Sequence, residues 1–125
     1  MIEKHIIERY TGQERGPLFI VLSAMHGNEP AGVEALKELA ESISVLKKGN
    51  VIVEGHTDDI GDASFNKRLS LARSKSVVLE LKKLIPSNQF KWMEKGLGES
   101  KPIVKNDSEE NRAKNRRVEI LVVPN

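Results

Sequence analysis

Residues 51–78 read VIVEGHTDDIGDASFNKRLSLARSKSVV, and this stretch decides the fold. Residues 51–55 are short and rich in Val and Ile, which predicts a strand. Residues 58–65 are polar and contain Gly61, which marks a loop. From Asn66 to about Leu84, the residues Leu69, Ala72, Ser76 and Leu79 fall on one helical stripe, with Val77, Leu81 and Leu84 beside it. That spacing predicts a long helix. Pro86 ends it, because the proline ring disfavours a helical conformation at the residue before it.

Working outward, residues 18–24 form a continuous apolar run, which predicts a strand covered on both faces. Residues 6–10 alternate as a short strand, and TGQERGP after them is rich in turn formers. Residues 26–30 read as a loop. Pro30 suits the first turn of a helix, where a missing N–H costs nothing. Val33, Leu36, Ala40 and Ile43 follow at helical spacing, so residues 30–45 are expected to be an amphipathic helix, with Gly49 as a cap or turn after it. Downstream, residues 90–95 alternate as a strand and 96–112 read mostly as loop. Residues 116–123 form the last strand, with Val118, Ile120 and Val122 on one face. The order is strand, strand, helix, strand, helix, strand, strand. It predicts an α/β (α+β) two-layer sandwich: a mixed sheet of about four to five strands with two helices on one face, the last two strands free to pair antiparallel.

Composition excludes several classes. The 125 residues carry 20 basic and 18 acidic side chains, a net charge of +2, so the basic excess of a nucleic-acid binder is missing. There is no Cys, which rules out disulfides and thiolate metal sites. No run approaches the ~18 apolar residues of a membrane span, so no membrane insertion is expected. MIEKHIIERY at the start lacks the pattern of a signal peptide, so any export signal is expected outside this sequence.

Further motifs extend the central stretch. They run Gly55-His56-Thr57-Asp58, Gly61, Asn66, Leu69-Ser70 and Arg73, then Gly96-Leu97-Gly98-Glu99 and Pro102. Asn111-Arg112-Ala113 and Asn115-Arg116-Arg117-Val118-Glu119 close the series. In this order and spacing they resemble the signature of OmpA-like C-terminal domains, over about residues 38–125. The resemblance implies a binding module rather than an enzyme, with no cofactor. It implies noncovalent attachment to peptidoglycan through the meso-diaminopimelate of its stem peptide, in a periplasmic or outer-membrane-associated setting. The free end of diaminopimelate carries an ammonium and a carboxylate on one carbon. Asp58 would take the ammonium, and Arg73 would grip the carboxylate with its planar fork. Asn66 would hydrogen-bond the ligand near the helix start, and Arg116 would add positive charge. The blander readings are an internal Asp58–Arg73 salt bridge, Asn66 as a helix N-cap, and Arg116 and Arg117 as solvated edge charges.

Residues 7–36, IERYTGQERGPLFIVLSAMHGNEPAGVEAL, resemble instead the opening of the succinylglutamate desuccinylase/aspartoacylase family of zinc hydrolases. That resemblance makes His26 and Glu29 weak candidates for metal ligands. A catalytic zinc of this type needs three protein ligands plus a water. The chain has 3 His, namely His5, His26 and His56, and His56 already belongs to the other signature. An intact hydrolase site is therefore not expected. OmpA-like domains usually have an Asp or Asn at the end of their first strand, and here Asn28 is the candidate substitute. The expectation is a single OmpA-like domain over residues 1–125, with residues 1–36 a hydrolase-like strand-loop-helix opening built into it. The rival readings are a recombined or engineered chimeric scaffold without retained activity and, behind it, a zinc-dependent amidohydrolase fragment.

Overall fold

The computed structural model describes residues 2–9, 17–24, 33–86 and 88–125. Along the chain run β1 (Ile2–Arg9), β2 (Leu18–Ala24), α1 (Val33–Ser44), β3 (Gly49–His56), α2 (Ala63–Leu84), β4 (Phe90–Gly96), α3 (Glu109–Asn115) and β5 (Arg117–Pro124). The strands form one sheet in the order β1-β2-β5-β3-β4. β3 and β4 are parallel, joined by α2 as the crossover, and the other neighbours are antiparallel. This is the mixed two-layer α+β sandwich that the sequence predicts, with differences that have physical causes.

The last two strands do not pair. β5 enters between β2 and β3, where Ile120 faces Ile20 on one side and Val53 on the other. Its inner row, Val118, Ile120 and Val122, is buried, and only a central position covers that row from both sides. The core closes over it with Leu18, Ile20 and Leu22 of β2 and Val51 and Val53 of β3. Leu36, Leu39, Ala40 and Ile43 of α1 and Val77, Val78 and Leu81 of α2 pack above them. Each such fully buried Leu, Ile or Val contributes about 1.5–3 kcal/mol. β2 is not covered on both faces. Its helix-facing residues are buried, while Phe19 and Val21 on the other face are half-buried, in line with Ile52 and Leu121.

α2 departs most from its predicted stripe. The buried face is Asn66, Ser70, Arg73, Ser74, Val77, Val78 and Leu81, whereas Leu79 is 59% exposed. The helix also starts earlier. Asp62 is the N-cap, and its Oδ2 accepts from the amide of Phe65 at 3.0 Å. Asn66 lies one turn inside. The first half of the buried face is small and polar because α2 comes very close to β3 and β4 there. A Cβ on Gly55 would overlap the backbone carbonyl of Ser70, and one on Gly96 would overlap the backbone of Leu71. Ser70 uses its place well: its Oγ accepts from the amide of Gly98 at 2.9 Å and donates to the carbonyl of Lys67 at 2.8 Å.

α3 falls at the end of the segment predicted to be mostly loop and runs on to Asn115, with Arg116 alone between it and β5. Ser108 caps it, accepting from the amide of Asn111 at 3.1 Å, and Glu109 and Glu110 stand in its first turn. Only Asn115 of this helix is buried, so it carries no apolar stripe to read. Gly49 opens β3 rather than capping α1. The left-handed turn falls on Lys47 with φ 67°. Tyr10, Pro30 and the predicted loop at 26–30 lie outside the described residues.

The Gly55 contact predicts that Gly55→Ala lowers the unfolding free energy by about 2–3 kcal/mol through overpacking against the helix backbone. Urea denaturation checks it. An unchanged midpoint would mean that α2 is free to move off the sheet at no cost.

Candidate ligand-binding site

Asp58 lies just past the end of β3, and only 8% of it is exposed. Its Oδ1 accepts from the amide of Ile60 at 3.0 Å, which closes a tight turn. Its Oδ2 accepts from Arg116 Nη1 at 2.8 Å. Arg116 is the C-cap residue of α3, and its Nη2 donates to Glu109 Oε2 at 2.7 Å. One guanidinium thus bridges two carboxylates, one nearly buried and one in water. Burial opposes the Arg116 charge, but the hydrogen bonds to Glu109 and Asp58 outweigh it and raise the pKa above its ordinary value. The same bond holds the Glu109 carboxyl below its usual range.

Asn66 fixes the loop from the other side. Its Nδ2 donates to the carbonyl of Ile60 at 2.9 Å and to Glu99 Oε1 at 3.4 Å. Thr57 Oγ1 donates to the carbonyl of Asp58 at 2.8 Å. The turn that carries Asp58 is therefore held by both backbone and side chains.

Arg73 sits two turns further along the buried face of α2 and is 8% exposed. Among the described residues no carboxylate lies within ion-pair distance of it, and its buried Nε has no hydrogen-bond partner. Burial, then the like charge of Arg116, lower its pKa, while Asp58 pulls it back up. A guanidinium keeps its charge at neutral pH all the same. The site therefore holds a desolvated cation beside an oriented, neutralised carboxylate. That arrangement suits a ligand with its own carboxylate.

All four residues singled out in the sequence are brought into one neighbourhood, and of the blander readings the internal Asp58–Arg73 salt bridge is not the one that forms. Asp58 is gripped by Arg116, not by Arg73. Asn66 is not the N-cap. Arg116 and Arg117 are not solvated edge charges. Arg117 is 4% exposed and donates to Glu119 Oε2 at 2.6 Å, to the Asn115 carbonyl at 3.1 Å and to the Lys101 carbonyl at 2.9 Å. Sequence reasoning gave Asn115 no role. It is fully buried, accepts from the amides of Ile103 and Val104, and donates to the Val104 carbonyl and to Asn106 Oδ1. It pins the loop before α3 and so sets where Arg116 emerges. Glu99 stands in the Gly96-Leu97-Gly98-Glu99 motif but was given no role of its own, and nothing local marks Glu109. His56 ends β3 on the other side of the sheet, where burial and then Arg117 lower its pKa. His26, Asn28 and Glu29, the weak metal candidates and the substitute for the first-strand residue, lie outside the described residues.

The parallel β3-α2-β4 crossover, the central β5 and the charged cluster beyond the β3 end define a two-layer α+β domain with its polar residues gathered past one sheet end. Residues 29–116 match the model of the OmpA family, and the chain belongs to that family. The outer-membrane lipoprotein YfiB of Pseudomonas aeruginosa is 34% identical over 94 residues, 74% of this chain and 55% of that protein. The peptidoglycan-binding protein ArfA of Mycobacterium bovis is 36% identical over 94 residues, 74% of this chain and 28% of that protein. The chain thus spans about half or less of the length of these relatives. Among solved structures, the periplasmic domain of Helicobacter pylori MotB superposes with a TM-score of 0.73 at 25% identity, covering 98% of this chain and 83% of that one.

The two arginines should differ in stability. Arg116→Met leaves the Asp58 carboxylate nearly buried and unpaired, and should lower the unfolding free energy by about 2–3 kcal/mol. Arg73→Met removes a desolvated charge, and should leave stability unchanged or raise it by up to about 1 kcal/mol. Urea denaturation of both variants at one pH separates them. A larger loss for Arg73→Met would make Arg73 a structural residue.

Proposed function

We propose that this domain binds peptidoglycan noncovalently, through the meso-diaminopimelate of the stem peptide, and that it catalyses no reaction. The observation that carries the reading is Arg73, a nearly buried guanidinium whose Nε has no hydrogen-bond partner, in the electrostatic reach of Asp58. Burying an uncompensated charge costs several kcal/mol, a cost that a ligand carboxylate would offset. In the complex Arg73 holds the diaminopimelate carboxylate through its planar fork, and Asp58 accepts the ammonium on the same carbon. Arg116 keeps Asp58 aimed and balances its charge, and Asn66 adds a hydrogen bond at the helix start.

The relatives support this reading: one is named peptidoglycan-binding, one is an outer-membrane lipoprotein, and the similar MotB domain is periplasmic. They support a periplasmic or outer-membrane-associated setting for this domain. No described helix is long and apolar enough to cross a membrane. We further infer that residues 1–36, hydrolase-like in sequence, serve as structural parts of the same domain. β2, which lies within that segment, hydrogen-bonds the central β5, and this supports the reading.

Calorimetric titration with a diaminopimelate-containing muropeptide tests the site. Saturable binding is expected, weakened roughly 30-fold or more in Arg73→Ala, as loss of a charge-assisted bidentate contact implies. A stem peptide with lysine in place of diaminopimelate lacks the second carboxylate and should bind as weakly. A folded protein that binds neither peptide would leave the signature as a fold marker only, and the scaffold reading would stand.

Integration of residues 1–36 predicts one cooperative unfolding transition, with Trp92 fluorescence and far-ultraviolet circular dichroism coincident. Separate melting of the N-terminal third would refute it.

A further inference from the structure

A second polar cluster lies on the sheet face turned away from α2. Glu54 of β3 and Glu119 of β5 are direct cross-strand partners, and His56 stands two residues beyond Glu54 on the same face. Like charges placed directly opposite each other destabilise a sheet. His56 is 1% exposed, and neither of its ring nitrogens has a hydrogen-bond partner. Its Nε2 points between the two carboxylates, 3.6 Å from Glu54 Oε1 and 4.0 Å from Glu119 Oε1. Both distances exceed hydrogen-bond length. Buried polar atoms without partners are rare and call for an explanation.

We propose that Glu54, His56 and Glu119 bind one divalent transition-metal ion, zinc foremost, through one imidazole nitrogen and two carboxylate oxygens. The three donor atoms lie within 4.8 Å of one another. Bonds of about 2.0–2.2 Å in a tetrahedral centre put ligand atoms roughly 3.3–3.6 Å apart, so small rotations of the two half-buried glutamates complete the set. One nitrogen and two oxygens suit zinc better than magnesium or calcium, which favour all-oxygen shells. Arg117 Nε holds Glu119 Oε2 at 2.6 Å and leaves Oε1 turned toward His56, the kind of outer contact that orients a metal ligand. Its positive charge, with that of Lys95 nearby, offsets part of the two negative charges. A hollow of about 130 Å³, lined by Phe19, Ile52, Glu54, Lys95, Glu119 and Leu121, opens beside the carboxylates. It offers an entry path and room for a water as fourth ligand. The site lies apart from Asp58 and Arg73 and does not depend on the peptidoglycan reading.

The test is calorimetric titration of the chelator-treated full chain with zinc chloride, alongside thermal melts with and without zinc. One ion per chain at low micromolar affinity and a higher melting temperature are expected, with no response to magnesium. Glu54→Gln alters a half-buried side chain and should fold normally, yet weaken zinc binding at least about tenfold. His56→Gln should do the same, and nitrogen-detected NMR of the wild type should show zinc on His56 Nε2. Three results would overturn the proposal: no zinc uptake by the folded wild type, wild-type affinity in Glu54→Gln, or binding abolished by His26→Gln but kept in His56→Gln.

Discussion

The contact of α2 with the ends of β3 and β4 constrains the rest of the molecule. At Gly55 and Gly96 the sheet presents no side chain, and the helix backbone fills the space a Cβ would need. Such an approach excludes large apolar residues from the first half of the helix's inner face. Ser70 and Ser74 stand there instead, and the Ser70 hydroxyl ties the helix to Gly98 beyond β4. The polar start of α2 is therefore a packing requirement before it is a functional feature. It also brings Asn66 and Arg73, on the same face, beside the loop that leaves β3.

Electrostatics then separates the two arginines. Arg116 reaches the site from the end of α3, spans Asp58 and Glu109, and has its charge balanced from both sides. Arg73 comes from α2 with no such balance among the described residues, and Arg116 repels it. A fold evolves such a desolvated cation at a cost, which the apolar core formed by α1, α2, β2, β3 and β5 can absorb. An unbalanced guanidinium near an oriented carboxylate is what recognition of a zwitterion needs.

The sheet's two faces serve different ends because strand side chains alternate. At the end of β3, Gly55 faces α2 while Glu54 and His56 face away from it. A single stretch of GHTD sequence thus feeds two neighbourhoods: Asp58 enters the cluster with Arg116, and His56 joins Glu54 and Glu119 across the sheet. Arg117, next in sequence to Arg116, belongs to the second neighbourhood for the same reason.

Periodicity and turn chemistry made the elements legible. The strand at 18–24, both helices and the α+β layering follow from apolar spacing, and Asp58, Asn66, Arg73 and Arg116 stand out through motif spacing. Partners were not legible, because a pairing depends on which side chains the fold brings within reach. The blander reading of the sequence paired Asp58 with Arg73, whereas the insertion of β5 beside β3 delivers Arg116 to Asp58. The buried face of α2 was misread because hydrophobicity marks burial only where the neighbour is apolar, and here the neighbour is backbone. α3 and Asn115 escaped notice because a helix of 7 residues with one buried amide has no stripe to display. Local sequence determined which residues form strands and helices, through forces that act within a few residues. Which strand is central, which arginine meets the carboxylate and which histidine loses its water were decided by contacts between residues far apart in the chain, and those exist only once the sheet has closed.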